Sequence, residues 1–377
     1  MPFGMRSKLS RDFEQFGALL PRDWVAHVRD AYRIDLSGEY LGVAIPHPIG
    51  KASGQLSLRI DQLETDGAAG LAFVVLKTLI GQSAAGTRRM EAWAIHESRM
   101  AVERRNAADG REGWTVTWKG RGWDRSLEEY LSLLRAGRQL AASMGMLAIP
   151  SVKLHLPSTG EEFDIAEYNH TLQALREAWG EGELLVEKDF SPTLAGDTLA
   201  AEGERILRWV REVPGLMRTS SSGAVRVALK LMNARFDDDF QGEMLRAANE
   251  ADAVTVFNRL WDPERGVAFG GWDLSDRNLR VLRTVPRSVP RSGTGNVCSG
   301  RLIAEYARAG CSSVQLHTFF QLPLSAYPAA AGSRTARALH SLVFDPRDGL
   351  LATMLDLEQA GVIGRVGGEL RFLDLLP

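Results

Sequence analysis

The chain has 377 residues, 45% of them hydrophobic and 24% charged, with a formal net charge of −2. That is ordinary globular composition, and it supplies no basic field that would call for nucleic acid or an anionic membrane. Cys298 and Cys311 are the only cysteines and neither sits in a CxxC pair, which leaves zinc-ribbon, iron–sulfur and disulfide-scaffold designs unsupported.

The opening, MPFGMRSKLSRDFEQFGALL, has no apolar core long enough for a signal peptide or a membrane span, so a reducing cytoplasm is expected. Phe13, Phe16, Leu19 and Leu20 recur at helical spacing, making residues 1–40 a helical preamble. Tyr40–Ile45 reads as strand, HPIGKASG as a turn-rich loop, and Gln55 to Asp66 as helix. Leu71–Thr78 (LAFVVLKT) is a continuous apolar run ending in Lys77, the profile of a strand buried on both faces.

A long excursion follows, from Leu79 to about Arg125, in which EGWTVTWKG alternates like a hairpin strand. Ser126 and Glu129 then form a capping box that opens a helix to about Met144. From there strands alternate with helices: strands at Leu147–Leu156, Leu184–Phe190, Val225–Met232, Ala253–Asn258 and Ser312–Thr318, and a weak polar one at SVPRSGTG. The intervening helices fall near 165–179, 198–213, 240–249, from Ser275 as cap to about Thr284, and from Ser299 to Ala309. Eight strands at this period imply parallel βαβ units that can close into a (β/α)8 TIM barrel. An open doubly wound sheet would want GxGxxG after its first strand, and HPIGKASG does not supply it. The expected organisation is a helical segment over 1–40, an α/β barrel over 41–333, and a C-terminal α+β appendage over 334–377 built from a helix and two short strands joined at Gly367-Gly368.

Barrels present reactive groups at the carboxyl ends of their strands. Here those ends carry Ala52-Ser53-Gly54, Lys77-Thr78, His155, Ser191, Lys230, Asn258, Gly270-Gly271, Gly295-Asn296 and His317-Thr318. Two lysines closing apolar strands ask for an anion, because burying an ammonium alone costs several kcal/mol. The backbone at Gly295-Asn296, ahead of a helix starting at Ser299, suits a phosphate. In ELLVEKDFSPT an apolar strand ends by presenting Ser191 before Pro192, which is either a plain strand terminator or a catalytic hydroxyl. A rim histidine such as His155, or His47 in the first loop, is more often a structural hydrogen-bonder than a proton donor. No His/Asp/Glu spacing supports a metal.

Over roughly residues 40–325 these stretches resemble the dihydroorotate dehydrogenase family of FMN-dependent barrels. IPHPIGKASG is similar to NPxGxASG, VVLKT to the family's KT strand, VALKLM to its second lysine strand, AFGGWDLS to its paired-glycine loop, GTGNVCSGR to GxGGIxSGxD and VQLHT to VQxGT. The resemblance implies FMN, backed by Ala52, Ser53 and Gly54. Lys77 and Lys230 would face its polar edge, and Gly270, Gly271, Gly295, Asn296 and Thr318 would hold the phosphate end, with Thr78 and His317 alongside. It places Ser191 as the catalytic base and Asn258 on the substrate. Lys188, Thr193 and Thr87 stand where the family has asparagines that pair with orotate, so a different small polar or acidic substrate is expected, with Lys188 and Arg88-Arg89 as its candidate partners. A true dihydroorotate dehydrogenase, a Schiff-base lyase using Lys77 or Lys230, and a barrel without catalysis stay open beside it. A homodimer is the family's expectation.

Overall fold

The computed structural model describes residues 3–94, 100–106, 112–118, 122–190, 203–234, 237–262, 267–270 and 272–377. Ten parallel strands form one curled sheet: β1 (Ile49–Lys51), β2 (Phe73–Val75), β3 (Leu79–Ile80), β4 (Leu147–Ile149), β5 (Ser151–Lys153), β6 (Leu184–Asp189), β7 (Val225–Met232), β8 (Ala253–Asn258), β9 (Arg291–Gly293) and β10 (Cys311–Leu316). Their order is β3-β5-β6-β7-β8-β9-β10-β1-β2-β4. One stretch of chain supplies both β4 and β5. Leu147 pairs with Phe73 of β2, and Ser151 pairs with Glu187 of β6. Pro150 lies between them; it has no N–H to give the ladder, and its carbonyl accepts from the Glu187 amide at 2.9 Å.

Eleven α-helices lie among the described residues: α1 (Phe3–Phe16), α2 (Trp24–Tyr32), α3 (Ile60–Ala68), α4 (Leu127–Ser143), α5 (Ile165–Trp179), α6 (Gly203–Ser220), α7 (Asp238–Ala247), α8 (Trp272–Thr284), α9 (Gly300–Arg308), α10 (Arg334–Phe344) and α11 (Leu350–Gln359). Five of their starts follow from local chemistry. Ser126 and Glu129 form the predicted capping box, while Asp164, Asp237, Ser299 and Ser333 each accept an amide of the first turn of the helix that follows. Strands buried along their whole length, such as β6, need helices covering the sheet's outer face.

The structure corrects four local expectations. Residues 40–45 are not the sheet's first strand: Gly38–Tyr40 and Val43–Ile45 form an antiparallel hairpin, reversed at Leu41 and Gly42 with φ of 54° and 73°. This places Tyr40 in stacked contact with Phe73, ring centroids 4.3 Å apart, and leaves β1 to come from the stretch read as a loop. Helix α6 does not stop at Val213. It runs through Pro214, because Val210, Val213 and Met217 are all buried and their packing outweighs one lost backbone bond. Ser275 is not a cap; α8 begins at Trp272, and the buried Ser275 hydroxyl donates to the Gly295 carbonyl. The tail strand Leu370–Arg371 pairs in parallel with Ile34–Asp35, so its partner comes from the N-terminal segment.

Two insertions meet at the carboxyl ends of the strands. The hairpin Met100–Asn106/Glu112–Trp118, from the chain after β3, joins Val267–Gly270 and Leu260–Asp262, from the chain after β8, in a four-stranded antiparallel sheet. The chain termini also pack together: the His340 imidazole stacks on Phe13 and meets its carbonyl at 2.7 Å.

Candidate functional site

Along β6 the side chains alternate. Glu187 reaches Tyr40, Thr255 and Gln315, and Asp189 reaches Thr78 and Lys153, whereas the Lys188 ammonium meets the Leu154 carbonyl. With a period of two, Glu187 and Asp189 share the face enclosed by the curled sheet and Lys188 takes the other. The chain has only seven lysines among its 45 basic residues. Five of them are inside: Lys51, Lys77, Lys153, Lys188 and Lys230 are between 0% and 8% exposed. Lysine is normally the most solvated of side chains, so this distribution places their charge at the strand ends rather than on the surface.

Burial lowers the proton affinity of four of them, Lys51, Lys77, Lys153 and Lys188. Lys77 is pushed down to about 8, first by desolvation and then by Arg259, with Lys230 adding repulsion. Lys153 falls to about 8 by burial, against the pull of Asp189. Lys188 falls to about 7 by burial and by the neighbouring Lys153 charge. Lys230 lies 3.5 Å from Glu187. Lys51 is committed elsewhere, ion-paired with the buried Asp66, and both bond Thr335 of α10.

A chain of hydroxyls crosses the strand ends. Ser53 Oγ meets Thr78 Oγ1 at 2.8 Å, Thr78 meets Ser151 at 3.1 Å and donates to Asp189 Oδ2 at 3.4 Å, and Lys153 stands 3.6 Å from the same oxygen. The Ala52 amide bonds the Leu316 carbonyl at 2.9 Å, which brings Ala52-Ser53-Gly54 beside the end of β10. There His317 lies against Gly54 and is held by Gln321 Nε2 at 2.8 Å. Burial, and then the charges of Lys77, Arg259 and Lys230, keep the His317 imidazole well below its usual range and hence neutral. Thr318 accepts the Gln321 amide through its carbonyl at 2.9 Å.

After β9 the backbone turns left-handed at two successive residues, Gly295 (φ 100°) and Asn296 (φ 61°), and Ser299 caps α9. A β-carbon on Gly295 would sit 2.7 Å from the Phe257 carbonyl and strike Asn278. Asn278 explains that tightness: its amide donates to the Phe257 and Thr294 carbonyls, both at 2.9 Å, and its oxygen accepts from Asn233 at 3.0 Å. The Asn296 side-chain nitrogen is buried without a hydrogen-bond partner, a polar group left for something else to satisfy.

The other predicted residues separate clearly. Ser191, Thr193 and Gly271 lie outside the described residues. Gly270 is part of the antiparallel sheet, paired with Val116. The half-buried Asn258 offers its carbonyl to Asn233. Thr87 is exposed in a tight turn with Ser83. Arg88 bonds Gln82 and the Arg125 carbonyl, and Arg89 bonds Glu161, so both arginines hold the loop. His155 accepts the Asp164 amide on Nδ1 and meets Glu161 on Nε2 at 3.3 Å, a structural role. His47, between the Ile49 amide and the Gly70 carbonyl, is likewise structural, and burial pushes it down to about 4.

Lys153, Asp189 and Glu187 escaped the sequence reading. Lys153 carried the signal that marked Lys77 and Lys230, a lysine closing an apolar run, but LHLP extended that run past it. Among the described residues no group of three His, Cys, Asp or Glu could hold a metal, and no helix is long and apolar enough to cross a membrane. Compared with known protein families and with curated proteins, the chain matches none.

Proposed function

We propose that the chain is an FMN-dependent oxidoreductase resembling the dihydroorotate dehydrogenases, built on a closed eight-stranded β/α barrel. Closure is supported by Pro150, which alone separates the strand paired to β2 from the strand paired to β6. The observation that carries the function is the burial of two lysines at the strand ends, Lys77 just past β2 and Lys230 near the end of β7, with the charge of Lys230 felt at Lys77. Two buried cations at one mouth suit a group that becomes anionic on reduction. The buried, unpartnered Asn296 nitrogen ahead of the capped α9 suits its phosphate end.

Lys77 and Lys230 would hold the flavin's polar edge, Ala52, Ser53 and Gly54 its back, and Asn296 its phosphate. FMN, when bound, would supply hydride acceptance or donation. Ser191 would exchange the proton, and Asn258 would orient a small polar substrate. Thr87, exposed in its turn, and Arg88 and Arg89, engaged in loop contacts, are poor candidates for holding that substrate.

The purified protein should carry bound flavin or take up added FMN, and a colourless protein that refuses FMN would sink this reading. Ser191→Ala should keep flavin and lose turnover. Anaerobic bleaching by dihydroorotate at a competent rate would identify the biosynthetic enzyme instead. A Schiff-base lyase is favoured by one observation, the proton affinity of Lys77 and Lys153, which burial lowers so that more of the free amine is present near neutral pH than for an exposed lysine. Borohydride trapping of a carbonyl ligand on either lysine in flavin-free protein would establish it.

A further inference from the structure

Glu187 sits in the middle of β6, wholly buried, where a barrel interior ordinarily carries branched apolar residues. Its two oxygens have different surroundings. Oε2 accepts three neutral donors: Gln315 Nε2 at 2.7 Å, the Tyr40 hydroxyl at 3.0 Å and the Thr255 hydroxyl at 3.1 Å. Oε1 accepts no hydrogen bond, and the Lys230 ammonium stands 3.5 Å from it. The donors come from the N-terminal hairpin, β8 and β10, and the cation from β7. A buried carboxylate is expensive, and an apolar residue would often be as stable there. Three donors on one oxygen fix the plane of the carboxylate, which leaves the second oxygen directed at the lysine.

We propose that Glu187 is the positioning residue of Lys230, oriented by Tyr40, Thr255 and Gln315 so that it holds the Lys230 ammonium at one place in the barrel interior. This rests on the oxidoreductase reading for its purpose, since a cation stabilises a developing anion only where it is held in advance. The N-terminal hairpin then contributes to the site through Tyr40, although it belongs to no strand of the curled sheet. Glu187 also offsets part of the lysine's charge, which would limit how far that cation favours a reduced flavin.

The scarcity of lysine makes the test direct. Protein labelled with [ε-13C]lysine gives one signal for each of seven residues, and Lys230→Arg assigns the relevant one. A held ammonium keeps the two ε-protons of Lys230 at separate shifts. Glu187→Gln should merge them while circular dichroism reports a folded protein. If Glu187 merely braces the hairpin, the melting temperature falls and the two shifts stay apart, which overturns the proposal.

Should Glu187→Gln fail to fold, Tyr40→Phe with Thr255→Val removes two of the three donors on Oε2 while keeping the carboxylate. The separation should then narrow, and an unchanged separation refutes the orienting role. In flavin-loaded protein, Glu187→Gln should move the flavin midpoint potential upward, because a negative charge has left its surroundings; no movement counts against the proposal. Failure to bind flavin at all would remove the oxidoreductase reading, and the lysine spectrum would still decide the role of Glu187.

Discussion

His317 lies so closely over Gly54 that a β-carbon at position 54 would sit 1.9 Å from the imidazole Nε2, and Gln321 holds the ring in that place. The glycine is therefore a matter of space and not of backbone freedom. Gly54→Ala should displace the ring and cost about 1–3 kcal/mol in denaturant unfolding. Gly54→Ala with His317→Ala should recover most of that loss, and a double variant no more stable than the single one would show that the two residues do not compete for one volume.

The buried lysines predict an unusual pH response. Lys77 and Lys153 sit at about 8 and Lys188 at about 7 when folded, against 10.5 for a free lysine. Between these values the unfolded chain binds more protons than the folded one, so stability should rise with pH. The melting temperature should increase from about pH 7 to about pH 10, and Lys188→Met should reduce that increase. A melting temperature that falls over this range would mean that the ammoniums are stabilised rather than penalised inside.

His47 acts at the other end of the scale. Its folded value of about 4 lies below the 6.5 of free histidine. Its contribution is present above the unfolded value and is lost as pH falls through the folded one, a span worth roughly 3 kcal/mol. His47→Asn should be less stable at neutral pH yet lose less stability between about pH 7.5 and about pH 4.5. Chemical denaturation at the two pH values checks this, and equal acid losses in parent and variant would assign the effect to other groups.

Asn278 joins the end of β8 to the loop after β9 through the Phe257 and Thr294 carbonyls. Asn278→Leu leaves both carbonyls without this donor and should cost about 2–3 kcal/mol. It should also loosen the Gly295-Asn296 turn. In the oxidoreductase reading FMN affinity would then fall more than stability alone explains, and isothermal titration with FMN would detect it.

Much of this protein was determined by local sequence. The Ser126/Glu129 box, the single-residue caps at Ser299 and Asp164, and the apolar runs of β6, β7 and β8 are short-range facts, and each element formed where its residues asked for it. Lys77 and Lys230 were marked in the same way, because an ammonium after an apolar run is costly wherever the fold places it. Tertiary structure alone decided which partners they met. Tyr40 and Gln315 are 275 residues apart and share one buried carboxylate, and Ile34 pairs with Leu370 across the whole chain. Periodicity gives the two faces of β6 but not which one the curled sheet encloses. The interior places of Glu187 and Asp189, and the outward place of Lys188, therefore had to wait for the sheet to curl.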